Sequence, residues 1–166
     1  MISDDLQVSL NKAIELAREY KHEYVCVEHI LYSLTENPRA SQVMSICGLS
    51  LAEIRSDLEN FFKEKLNAVQ KSSDNKPTPS LGFQRVLQRA AQQMLSSGKE
   101  KIYGEGLVVS IFGEKESHAL YFLKKQDITY FDIISAISNN LSELDSLVPG
   151  AYDDYDKKDK NFASNL

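Results

Sequence analysis

One helical pattern occurs twice in this chain. The first copy runs from about residue 6 to 62 and the second from about 81 to 139. Ile30, Leu31, Ser33 and Leu34 correspond to Leu107, Val108, Ser110 and Ile111, 77 residues further on. Leu49, Ser50, Glu53 and Ile54 correspond to Ile128, Thr129, Asp132 and Ile133 at an offset of 79. Leu10, Ala13, Ile14 and Ala17 align with Phe83, Val86, Leu87 and Ala90 at an offset of 73. An offset that grows along the chain puts the extra residues in loops. A duplicated helical unit predicts a pseudo-twofold domain with two similar surfaces, which suits a recognition scaffold better than a single catalytic cleft.

Helix boundaries follow from caps and periodicity. Ser3 reads as an N-cap, with Asp4 and Asp5 in the positive first turn and Leu6, Leu10, Ala13, Ile14 and Ala17 on one face. A short second helix starts near Val27. Asn37-Pro38 predicts a cap with proline at the first helical position, and Gly48 a left-handed stop to the third helix. Ser50 and Glu53 form a capping box within a Leu49–Ile54 hydrophobic staple, and Thr129, Asp132, Ile128 and Ile133 repeat the device. Ser80 caps a fifth helix with Phe83, Val86, Leu87, Ala90 and Met94 inward, ended by Ser96-Ser97-Gly98. Short helices near 105–112 and 117–124 precede a last helix to about 140. The expectation is an all-α domain of eight helices over residues 1–140, with repeat one at about 1–70 and repeat two at about 80–140. Residues 71–79, with Ser72, Ser73, Asp74, Asn75, Pro77 and Pro79, read as a flexible linker. Residues 141–166 read as a flexible charged linker, since Tyr152-Asp153-Asp154-Tyr155-Asp156 and the lysines after it carry no apolar periodicity.

Composition removes several function classes. With 166 residues, 42% of them hydrophobic, the chain can build one core. A net charge of -5, with basic residues scattered among acids, argues against nucleic acid as partner. Cys26 and Cys47 form neither a metal-ligand spacing nor a disulfide framework, which fits a reducing cytoplasm. No stretch approaches the ~18 apolar residues of a membrane span.

The candidate chemistry is equally restrictive. In His22-Glu23-Tyr24-Val25-Cys26 a cysteine stands where a zinc-protease helix needs its second histidine, so no metal site is assigned. No G-x-S-x-G elbow accompanies His22, His29 or His118, so no catalytic residue is assigned. There is no P-loop, and Gly104-Glu105-Gly106 puts an acid where a phosphate cradle needs donors. Glu28, like Glu105 in the second copy, sits in a first helical turn where the macrodipole favours a carboxylate. Glu23 lies in a turn, is expected to be exposed, and has no such local role. It is the acid best suited to meet a basic partner surface, where rim charges set association rate and specificity.

The runs Leu10-Asn11-Lys12-Ala13, His22-Glu23-Tyr24 and Val27-Glu28-His29-Ile30-Leu31 resemble the first Clp repeat in the N-terminal domain of Clp/Hsp100 AAA+ unfoldases. Leu81 through Ala90, and Val108 through Phe112 with Glu114-Lys115-Glu116-Ser117, are similar to the second repeat of the ClpA-type branch. The resemblance covers about residues 1–140, and Asn161 to Leu166 resembles the opening of the first ATPase module. It implies two four-helix Clp repeats in one domain that has no catalysis or cofactor of its own, ATP and magnesium belonging to AAA+ modules outside this chain. It implies docking of a ClpS-like adaptor carrying N-degron substrates, and delivery to ClpP by the full-length protein. The domain alone would be a monomer and the full-length protein a hexamer, with no membrane or nucleic-acid partner. It assigns adaptor contacts to Glu23 and Glu28, with Arg85 bordering the same surface. ClpC-type relatives offer an alternative, direct binding of unfolded or phosphoarginine-bearing substrates, through acids at the places of Glu28 and Glu105. Gly104-Glu105-Gly106 departs from their usual Thr-Glu-His. Cys26 replaces a capping threonine, which implies a looser turn around Glu23.

Overall fold

Ser3 and Ser80 stand 77 residues apart and open two helices of equal length, α1 (Asp4–Glu19) and α5 (Leu81–Ser96). The Ser3 hydroxyl accepts the Leu6 N–H at 3.2 Å and the Ser80 hydroxyl accepts the Phe83 N–H at 3.1 Å. The caps therefore pair Leu6 with Phe83 and correct the expected offset of 73 in this helix to 77. A slip of four residues keeps every apolar side chain on the same helical face, so periodicity alone cannot separate the two registers. The computed structural model describes residues 1–64 and 76–147.

The remaining helices are α2 (Val27–Leu34), α3 (Pro38–Ile46), α4 (Leu51–Glu64), α6 (Gly104–Ile111), α7 (His118–Lys124), α8 (Tyr130–Asn139) and α9 (Leu141–Ser146). The architecture is all-α. Every residue of α2 but Tyr32 is buried, and every residue of α6 but Gly106. Helices apolar on all sides belong at the centre of a fold. The others pack around these two, with Phe62, Met44, Ile54 and Ile133 among the fully buried side chains.

The two copies interlock by one device used twice. Strand β1 (Tyr24–Val25) pairs in parallel with β2 (Thr78–Pro79), placing Val25 opposite Pro79. A matching bridge sets Ile102 opposite Ile2. Ile102 lies 77 residues after Val25, and Pro79 lies 77 after Ile2. In each case the segment entering the central helix of one copy pairs with the segment entering the first helix of the other. Proline has no N–H to give the ladder, so Thr78 N–H and Ser80 N–H donate to the Glu23 and Val25 carbonyls, both at 3.0 Å. The left-handed residues obey the same symmetry. Lys21 (φ 61°) matches Gly98 (φ 70°), and Gly48 (φ 86°) matches Asp127 (φ 62°).

Two boundaries differ from expectation. Residues 71–75 of the expected linker lie outside the described residues, but Thr78–Pro79 is the strand β2. The first part of the expected charged linker is α9. Its Leu144 is buried, and its Asp145 pairs with Arg39 of α3 at 2.8 Å. One buried leucine and one ion pair are enough to dock a short helix that an apolar period cannot announce. The segment from Tyr152 onward lies outside the described residues. Among the described residues no helix is long and apolar enough to cross a membrane.

Candidate functional site

The N-terminal ends of α2, α5 and α7 converge on a cleft between the two copies. It encloses about 590 Å³, and Cys26, Glu28, Arg85, Glu114, Ser117 and His118 are among its lining residues. Glu28 is only 7% exposed. Its Oε2 accepts the Ala119 N–H at 3.1 Å in the first turn of α7. The carboxylate thus serves two helix N-termini, its own and that of α7, each of which favours negative charge. This is a wider structural role than the first-turn position predicts.

Arg85 projects from α5 with its side chain 55% exposed and donates to Glu114 through Nη2 at 2.8 Å. Arg89, one turn on, donates to the other Glu114 oxygen at 2.9 Å. Burial alone would raise the Glu114 pKa. The two guanidiniums outweigh it and hold the carboxyl below its usual range. Gly82 lets α5 close on α2, since a Cβ there would stand 3.0 Å from Val27 Cγ2. The cleft therefore presents a fixed Arg–Glu–Arg triad beside a buried glutamate, built from both copies.

Glu23 is half-buried rather than fully exposed. Its carbonyl is held by Thr78, so the turn carrying it is fixed to the segment that opens α5. The loosening expected from a cysteine cap does not occur. His29 Nδ1 accepts the Cys26 N–H at 2.9 Å, the reciprocal half of a capping box. With Nδ1 an acceptor, His29 Nε2–H donates to His22 Nδ1 at 2.9 Å, and His22 Nε2–H donates to the Phe62 carbonyl at 3.2 Å. This relay ties the turn to the end of α4. Burial, and then the neighbouring His22, push the His29 pKa down to about 3. Burial first, then the Glu28 charge, raise the Cys26 thiol to about 11 against a hydrogen bond from Ser80. At neutral pH it stays a thiol, a poor nucleophile and metal ligand. Among the described residues no cluster of three or more His, Cys, Asp or Glu could hold a metal ion.

The corresponding place in the second copy is filled. Glu105 is the twofold counterpart of Glu28, and Arg39 occupies it with Nε 2.9 Å from both carboxylate oxygens. The Arg39 guanidinium also pairs with Asp145 and stacks 4.1 Å from the Tyr103 ring centroid. Gly104 is needed there, because a Cβ would collide with the Asn37 side chain. The structure brings Glu28 and Arg85 into one cleft, with the Glu23 turn fixed beside it, and closes Glu105 off. Sequence reasoning missed Glu114, Arg39 and the histidine relay. Arg39 did leave a signal, since a cation in a first helical turn opposes the macrodipole and calls for a nearby acid.

A sequence model of the Clp repeat (R) N-terminal domain matches residues 1–126. The chain belongs to that family. A ClpA homolog protein of Fuscovulum blasticum is 34% identical over 142 residues, which cover 85% of this chain and 18% of the homolog. The chaperone protein ClpB of Chlamydia muridarum is 31% identical over 112 residues, covering 66% of this chain and 13% of ClpB. The chain thus spans less than a fifth of the length of these curated relatives. In structure it is similar to the Hsp104 N-terminal domain of Candida albicans, with a TM-score of 0.71 at 13% identity over 82% of this chain and 89% of that one. It is also similar to a ClpV N-domain solved in complex with a VipB peptide, with a TM-score of 0.58 at 18% identity over 90% and 88% of the two chains. Clp N-domains are binding modules rather than catalysts, and the chain is one of them.

Proposed function

We propose that this domain docks an adaptor and its substrates for a cytoplasmic ClpA-like AAA+ unfoldase that works with ClpP. The adaptor is a ClpS-like protein presenting N-degron substrates, and it seats over the cleft carrying Glu28 and Arg85, with Glu23 on the rim. The observation that carries this reading is the single open inter-repeat cleft, which gathers two of the three predicted residues and leaves an arginine half in solvent. The sequence kinship to a ClpA homolog supports the branch. Tethering through a linker raises the local concentration of cargo near the motor without further contacts, and ATP and magnesium act in modules outside this chain.

Titration of a ClpS-like adaptor against Glu23→Lys tests the proposal. Weaker binding with an unchanged melting temperature is expected, because the Glu23 turn is held by its backbone carbonyl and by His22. Unaltered affinity at moderate salt would remove Glu23 from the interface. Displacement of a labelled substrate by free phosphoarginine, with no adaptor binding, would favour direct substrate recognition instead.

A further inference from the structure

A second depression runs along α5 and α8 over α6. One end, about 660 Å³, is lined by Phe112, Lys115, Lys124 and Tyr130, and the other, about 580 Å³, by Lys99, Lys101, Ile134 and Ile137. Arg89, Gln93, Val109 and Tyr130 line both ends, so the two make one groove. Its floor and walls are apolar, Tyr130 is half exposed, and the adjacent Phe131 is 74% exposed. From Tyr130 to Ile137 it follows α8 for ~12 Å, the span of about four extended residues.

The charge of this groove is opposite to that of the chain. Lys99, Lys101, Lys115 and Lys124 surround it, and none of the four makes an ion pair among the described residues. Two acids line it. Glu105 is buried against Arg39, which leaves Asp127 facing four lysines. The depression of the first copy between α1 and α2 has the reverse sign, with Glu15, Glu19 and Glu36 around Lys12. In a chain of net charge -5, the one twofold-related face that turned basic is also the one that leaves aromatic side chains uncovered.

We infer that the α5–α8 groove is a docking site for an acidic peptide segment of a partner protein, one that carries aromatic or aliphatic side chains between Asp and Glu residues. The apolar floor takes the side chains and the lysines at both ends hold the acids. Neither part depends on the adaptor cleft.

The test uses a labelled short peptide alternating Asp with Phe and Leu, read by fluorescence anisotropy on the full chain, with its Asp→Asn isostere as comparator. The acidic peptide is expected to bind about tenfold more tightly than the isostere, with a loss at raised salt. Lys99→Glu with Lys101→Glu, and separately Lys115→Glu with Lys124→Glu, should each weaken it about fivefold, while Glu23→Lys leaves it unchanged. Equal binding of the acidic and amide peptides, or indifference to both lysine reversals, would overturn the inference. Concentration-dependent self-association in sedimentation that the Lys99→Glu, Lys101→Glu pair abolishes would assign the groove to a second copy and overturn it as well.

Discussion

His22 Nδ1 and His29 Nε2 lie 2.9 Å apart, and a single arrangement of protons satisfies the chain from the Cys26 N–H to the Phe62 carbonyl. Both rings are neutral in it. Protonating His29 at Nδ1 would set two donors against each other at Cys26. Tyr20 stacks on His22 and Phe62 on His29, so the rings have aromatic walls and little water to share a new charge.

Stability should therefore fall in mild acid. The His29 pKa is held at about 3, below the ordinary 6.5, so the unfolded chain takes up a proton that the folded chain refuses. This contribution is complete above pH 6.5 and is lost as the pH falls towards 3. Within the window the slope approaches about 1.4 kcal/mol per pH unit. Urea unfolding at several pH values measures it. His29→Leu should lower stability near neutrality and flatten the slope between pH 6.5 and 5. An equal slope in both proteins would contradict the relay.

Arg39 is held by Glu105 on one side and Asp145 on the other, with 4% of its side chain exposed. Arg39→Ala leaves Glu105 buried and unpaired and should cost about 3–5 kcal/mol in urea unfolding. Arg39→Met combined with Glu105→Leu removes both charges and should cost much less. The Asp145 side chain is 63% exposed, so Asp145→Asn should stay within about 1 kcal/mol. A double variant as damaged as the single one would show that packing, not charge, is lost.

Gly104→Ala tests the close approach of α6 to α3. A Cβ at 104 collides with the Asn37 side chain, which caps α3 through Ala40 N–H at 3.0 Å and donates to Ser9 at 3.1 Å. Displacing that cap should cost about 1–2 kcal/mol. Gly106→Ala should cost less, because its nearest neighbour would be an Ile102 methyl at 3.8 Å. Equal losses at the two positions would contradict this.

Much of the fold was legible from the sequence because helix caps are local. Ser3, Asn37, Ser80, Ser117 and Thr129 each cap the helix that follows them. The Thr129–Asp132 box forms in full, and Leu49, Ile54, Ile128 and Ile133 are buried as the staples require. The Ser50 box forms by half. Ser50 Oγ accepts the Glu53 N–H, while the Ser50 N–H goes to Gln126 of the other copy at 2.8 Å. That partner is 76 residues away and no local motif names it. The site was less legible for the same reason. Glu28 reaches Ala119 across 91 residues, and Arg39 reaches Glu105 across 66. Aligning the first helices by apolar face rather than by cap also hid the match of Glu23 with Glu100, 77 residues on. The two copies differ less in their acids than in the groups that surround them.

The location of the docking surface is tested most directly by hydrogen exchange on the domain with and without a ClpS-like adaptor. New protection is expected in the β1 turn with the start of α2, at the start of α5, and around Glu114 to His118. Protection confined to α8 and the lysines at 99, 101 and 124, or no change in the inter-repeat cleft under saturating adaptor, would contradict the assignment.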